Sequence, residues 1–186
     1  MHPQISALLN DYRTASARLD ALAVRIPDDR WGVRPDPARW SLSENIEHLN
    51  ITSEAFLPAL RHGIDEARAR GRFTGHYRRD PLGWFMWRMM GPPVRMKVST
   101  TPAFVPDTGR PAQEIRDRFA ALQAELSALV VAADGLPVHQ VKVQSPFSAR
   151  ARYNLYAALG VVVRHQHRHL WQAEQTYVTP GADNAH

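Results

Sequence analysis

Nine histidines stand at positions 2, 48, 62, 76, 139, 165, 167, 169 and 186, and the chain has no cysteine. The chemistry open to it is therefore that of imidazole, carboxylate and water. Disulfides, Cys-type zinc sites and a thiol nucleophile of its own are excluded. If thiol chemistry occurs, a small molecule must bring the thiol. His165 and His169 are the pair that stand four positions apart within a segment of helical periodicity. That spacing puts two imidazoles on one face, one turn apart, as a metal ion needs from a single helix. A chain this rich in histidine produces such a pair by chance fairly often, so the spacing alone is weak.

Position on the helix adds to it. The apolar stripe of this segment passes through Leu155, Leu159, Val162, Leu170 and Ala173. At about 100° per residue, His169 lies about 40° from the reference set by Leu155, and His165 about 80° on the same side. His167 falls about 120° away on the other side, toward water. Two readings remain for His165 and His169: a metal site still short of ligands, or semi-buried histidines hydrogen-bonded to neighbours. His48 is the natural candidate for a third ligand. The wheel sets it roughly 120° from the middle of its own helix's stripe, an awkward angle that fits better if a third helix packs on that side or the site lies near the bundle's end. Glu44, one turn before His48, is a candidate general base or support for a ligand, although a capping role fits its position better. Gln172 and Glu174 are further pocket candidates.

Four long segments must position these groups. The first runs from about Gln4 to Arg25 and is stopped by Pro27. A Pro-rich stretch over 27–40 reads as an ordered loop pinned by Trp31 and Trp40. Ser41-Leu42-Ser43-Glu44 is a capping box that opens the second helix. This helix runs to Ala69 with a bend near Pro58, and Gly71 ends it. Residues 71–110 are irregular, with an aromatic and Met-rich knot over 84–90. A structureless loop of that length is unusual, so a short helix is expected near 82–90, as a flap over the bundle or a wall of a pocket. The third helix spans roughly Ala112 to Ala133, opened by Pro111 and closed by Gly135. Val138, Val141 and Val143 could be extended, though a lone strand has no visible partner. The fourth helix runs from about Arg152 to Tyr177, and 178–186 reads as a frayed tail.

The expected fold is therefore all-α, one bundle domain over 1–177 followed by the tail, and 186 residues suffice for a sizeable core. No apolar run approaches a membrane span, so no membrane partner is expected. The leading Met1-His2-Pro3-Gln4 lacks the features of a secretory signal, which points to the cytoplasm. The 23 Lys and Arg against 18 Asp and Glu give a basic chain. Nearly all the cations are arginines scattered along the sequence, which argues against nucleic acid as the partner.

Trp40-Ser41-Leu42-Ser43-Glu44-Asn45-Ile46-Glu47-His48-Leu49 resembles the W-S-x-x-E-x-x-x-H-L motif of the DinB-like superfamily. His165-Gln166-His167-Arg168-His169-Leu170-Trp171-Gln172-Ala173-Glu174 resembles its closing H-x-x-R-H-L-x-Q-A-E helix. The likeness extends through Pro35, Pro102, Phe104, Pro106 and Ser145-Pro146-Phe147. It implies a four-helix bundle with a long crossover, often a homodimer. It also implies a divalent metal, commonly Zn²⁺ or Ni²⁺, held by three histidines, which here become His48, His165 and His169. Characterised relatives include transferases and isomerases that use small thiols such as bacillithiol or mycothiol. The expectation is thus a metal-dependent hydrolase, or a transferase acting on a small-molecule substrate with a small thiol cosubstrate. The alternative is a non-catalytic, metal-stabilised ligand-binding or structural dimeric protein. Three histidine ligands should lose metal as the pH drops below about 6.5.

Overall fold

A computed structural model describes residues 1–93, 100–107 and 109–178. Five α-helices make up most of it: α1 (Pro3–Arg25), α2 (Leu42–Ala69), α3 (Pro81–Met90), α4 (Ala112–Ala132) and α5 (Leu155–Val178). The four long ones form the bundle. α1 and α2 each pack against both α4 and α5, so the four close into a ring around one core. The tail expected from 178 onward lies, beyond Val178, outside the described residues.

Local chemistry accounts for the helix starts. The His2 ring accepts the Gln4 N–H at 3.2 Å, with Pro3 in the first turn of α1. Ser41 opens α2 with both halves of the capping box in place: its Oγ accepts the Glu44 N–H at 3.2 Å, and Glu44 Oε2 accepts the Ser41 N–H at 2.8 Å. Pro58 lies inside α2 on its exposed side, where the hydrogen bond it cannot make costs least. Gly71 and Gly135 adopt φ of 91° and 71° just beyond α2 and α4, the left-handed geometry that glycine takes without a Cβ clash.

Two connections differ from expectation. Residues 142–144 are extended and do have a partner: β1 (Lys142–Gln144) pairs antiparallel with β2 (Arg152–Asn154), Val143 opposite Tyr153. The fourth long helix, expected from Arg152, therefore begins three residues later, at Leu155. Asn154 makes the boundary, its Oδ1 accepting the Ala157 N–H at 2.9 Å as a helix cap. Val143 and Tyr153 are both buried, so the hairpin adds to the core.

The short helix expected near 82–90 is α3, capped by Asp80 Oδ1 on the Gly83 N–H at 2.9 Å. It lies across the first half of α5. A Cβ on Gly83 would meet the Ala157 methyl, and one on Gly160 would come within 3.2 Å of Trp87, so the two helices touch through glycines. This cover explains why Leu155–Val163 is buried on every side and apolar all round, rather than along one stripe. Within 27–40, Trp31 is fully buried, its Nε1–H donating to the Ile26 carbonyl at 3.0 Å. The Ser43 N–H donates to the Trp31 carbonyl at 2.9 Å, which ties this loop to the start of α2.

Candidate metal centre

His48, on the second turn of α2, faces His165 and His169 on successive turns of α5. All three are buried, and one ring nitrogen from each lies within 4.8 Å of the others. His48 Nε2 and His165 Nε2 are 3.3 Å apart. Two nitrogens each held about 2.0–2.1 Å from a tetrahedral zinc ion would stand roughly this far apart.

The oblique wheel position of His48 is resolved by what surrounds the start of α2. Leu42 through Asn50 are buried without interruption. The 27–40 loop covers one side, α5 another, and the turn Pro102–Phe104 closes over the side of His48. The site is therefore at the bundle's end, where a helix is enclosed all round and its apolar stripe no longer marks the interior.

Two hydrogen bonds set which nitrogen faces the cluster. Phe104's carbonyl lies 2.8 Å from His48 Nδ1, and Asn45 Oδ1 lies 3.0 Å from His169 Nδ1. Both partners accept, so each Nδ1 carries the proton and each Nε2 keeps its lone pair. The Asn45 amide is itself oriented: its Nδ2 donates to the carbonyls of Trp40 at 3.2 Å and Ser41 at 2.9 Å, which turns Oδ1 to His169. Such outer contacts fix ring orientation and ligand basicity in metal sites.

Burial, reinforced by the other imidazoles and by Arg168, holds His165 and His169 well below the ordinary histidine range. Burial lowers His48 as well, although the Phe104 carbonyl works against it. All three are thus neutral near pH 7, the form that ligates. Aromatic rings wall the cluster. Trp40 lies 5.0 Å from the His48 ring and stacks on His169 at 5.8 Å, while Phe147 meets His165 edge-on at 5.8 Å and Phe104 at 5.0 Å.

The nearby carboxylates are committed elsewhere. Glu44 is buried, accepting from Ser41 and, through both oxygens, from Arg34. The Arg34 guanidinium, helped by Ser41, keeps its carboxyl below the usual carboxylate range in spite of burial. Its contacts are those of a cap and an ion pair. Glu47 pairs with Arg110 at 3.1 Å and Arg118 at 2.6 Å. Glu174 turns to α1, where Arg18 grips it with two hydrogen bonds of 2.8 and 2.7 Å. His167, expected to face water, is half-buried against the same helix: Arg18 Nη1 lies 2.9 Å from its Nδ1 and the Asp11 carbonyl 3.1 Å from its Nε2. Packing of α1 on this side of α5 is the reason, and a single-helix wheel cannot see it. Asn45 and the Phe104 carbonyl escaped sequence reasoning. Asn45 carried one usable signal, standing three residues before His48 on the same helix face.

No curated protein and no solved structure matches the chain. A family model of the DinB superfamily matches residues 11–173, a span that holds both histidine motifs, and the chain belongs to that superfamily.

Proposed function

We propose that the chain is a metal-dependent enzyme in which His48, His165 and His169 hold a divalent cation, zinc or nickel foremost, and a remaining coordination position takes a small thiol. The observation that carries this reading is the buried cluster of three neutral imidazoles, two with their tautomers set by Phe104 and Asn45. Three protein ligands without a fourth are the pattern of catalytic rather than structural zinc sites. A bound divalent cation supplies Lewis acidity, holding a thiol as its nucleophilic thiolate or lowering the pKa of water toward neutrality.

The chain's own residues do the rest. Trp40, Phe104 and Phe147 exclude water from the ring nitrogens and offer an apolar wall to a small electrophile. The ligand set carries no charge of its own, and Glu44 and Glu47 are already neutralised by arginines. An anionic thiolate would therefore enter without a competing carboxylate. Transfer of a thiol to a small-molecule electrophile is favoured over hydrolysis because Glu44, the sequence's candidate base, is occupied by its cap and by Arg34. Hydrolysis stays as the second reading, since three-imidazole sites can activate water without a carboxylate base.

Metal analysis of untagged protein, followed by turnover assays on thiol–electrophile and ester panels, tests the proposal. The expected result is about one metal ion per chain and thiol-dependent turnover that vanishes in a folded His169→Ala variant. Protein that carries no metal, and whose melting temperature ignores added Zn²⁺ and Ni²⁺, would refute the metal site. Stoichiometric metal without turnover on either panel would leave a non-catalytic binding protein.

A further inference from the structure

The exposed large apolar side chains of α3 form a ridge that the bundle does not use. Leu82, Trp84 and Phe85 are 40%, 53% and 51% exposed, while Gly83 and half-buried Trp87 face α5. At about 100° per residue, Trp84, Arg88, Pro81, Phe85 and Leu82 follow one another round the outer face, and all five are exposed. Val24 on α1 and Val131 on α4, by contrast, are each the sole exposed large hydrophobic of their helix.

Charge distinguishes the same region. From Asp65 to Pro106 the sequence holds eight Lys and Arg and three acidic residues, leaving fifteen against fifteen in the remainder, and within the segment Arg68 and Arg70 pair with Asp65 and Glu66. The whole positive excess of the chain thus resides in the segment that carries the ridge. Asp80 does not offset the ridge, because it caps α3 and pairs with Lys142.

We propose, against the expectation of no membrane partner, which rested on spanning segments alone, that α3 is an interfacial docking helix that lays this ridge into an anionic lipid surface. Among the described residues no helix is long and apolar enough to cross a membrane. The association is therefore one of lying on the bilayer, with Trp84, Phe85 and Leu82 at the acyl boundary and Arg88 reaching the headgroups. A second copy of the chain fits less well, since a two-fold contact sets a patch against itself and would bring the two basic segments together. Nucleic acid also fits less well: Leu82 and Pro81 have no base-stacking face, whereas both suit an acyl boundary.

Co-sedimentation of the full chain with vesicles tests this, using phosphatidylcholine alone and an equimolar mixture with phosphatidylglycerol. Binding to the mixed vesicles only is expected. The double variant Trp84→Ser/Phe85→Ser should lose at least tenfold in vesicle affinity, and Arg88→Ala about fivefold. Both variants should keep the wild-type melting temperature and metal content, because these side chains point away from the bundle. No binding, equal binding to neutral vesicles, or full binding by the double variant would each overturn the proposal, the last showing adsorption by charge alone. A concentration-dependent dimer that the double variant dissolves, without vesicle binding, would assign the ridge to a second copy. Retention of a single-stranded oligonucleotide in place of vesicles would assign it to nucleic acid.

Discussion

Asn45 and the Phe104 carbonyl do at the residue scale what the ligands cannot do for themselves, which is to hold an imidazole in one tautomer and one orientation. Asn45→Ala removes the acceptor from His169 Nδ1 and should weaken metal affinity about 10- to 100-fold, measured by chelator competition. Asn45→Asp keeps an acceptor for His169 Nδ1 but sets its other oxygen against the Trp40 and Ser41 carbonyls, so it should restore only part of that loss. An alanine variant with unchanged affinity would show that packing alone orients His169. The histidines also set an acid limit. Their pKa values are lowered in the fold, so below about pH 6.5 the unfolded chain takes up protons that the folded chain refuses. Metal-free protein should therefore be fully stable above about pH 6.5 and lose stability progressively below it, as read by denaturant titrations at about pH 7.5 and pH 5. The same shift moves proton competition with the metal below the pH 6.5 that three ordinary histidines would suggest. Affinity that already falls between about pH 7 and pH 6.5 would contradict it.

At the scale of elements, the start of α2 is where sequence and site meet. Ser41→Ala deletes one half of the capping box and should cost about 1 kcal/mol in thermal or denaturant unfolding. Metal affinity should change little, because His48 lies beyond the first turn and is held by Phe104. Gly83→Ala probes the seat of α3 on α5, where the added methyl would meet Ala157 and Asp80. It should destabilise the protein by about 1–3 kcal/mol through overpacking. The capping box, the breaks at Gly71 and Gly135 and the short α3 were legible in the sequence because each rests on a local rule of turn or cap chemistry. The β1–β2 hairpin was not. Its pairing depends on Tyr153 and Val143 meeting over the core, and Arg152–Asn154 alone continue smoothly into a helical pattern.

For the whole molecule, the three histidines join α2 to α5 across the end of the bundle, so a bound metal ties two bundle helices together. Free metal at a hundred times its dissociation constant stabilises the fold by about 2.7 kcal/mol. In a domain of this size that corresponds to roughly 5–10 °C in Tm. Chelation of metal-loaded protein should lower the Tm by that amount, and stoichiometric Zn²⁺ should restore it. The His169→Ala variant should show neither change in a calorimetric or fluorescence melt.

The sequence by itself determined the existence of the helices, the capping box of α2, the stops at Gly71 and Gly135, and the placing of His165 and His169 on one face of α5, because these follow from periodicities and contacts within a few residues. The family motif pointed to His48 although the periodicity of its own helix did not. Only the tertiary structure decided that His48 is inside, since its burial comes from Phe104 and α5, both remote in sequence, and from the way the 27–40 loop folds back on α2. It likewise decided that Glu44 and Glu174 are held by Arg34 and Arg18, and that His167 is held by α1. A wheel reports one helix against one core. The end of a bundle closed by loops has no single inward direction, and partners far apart in the chain settle which histidines meet.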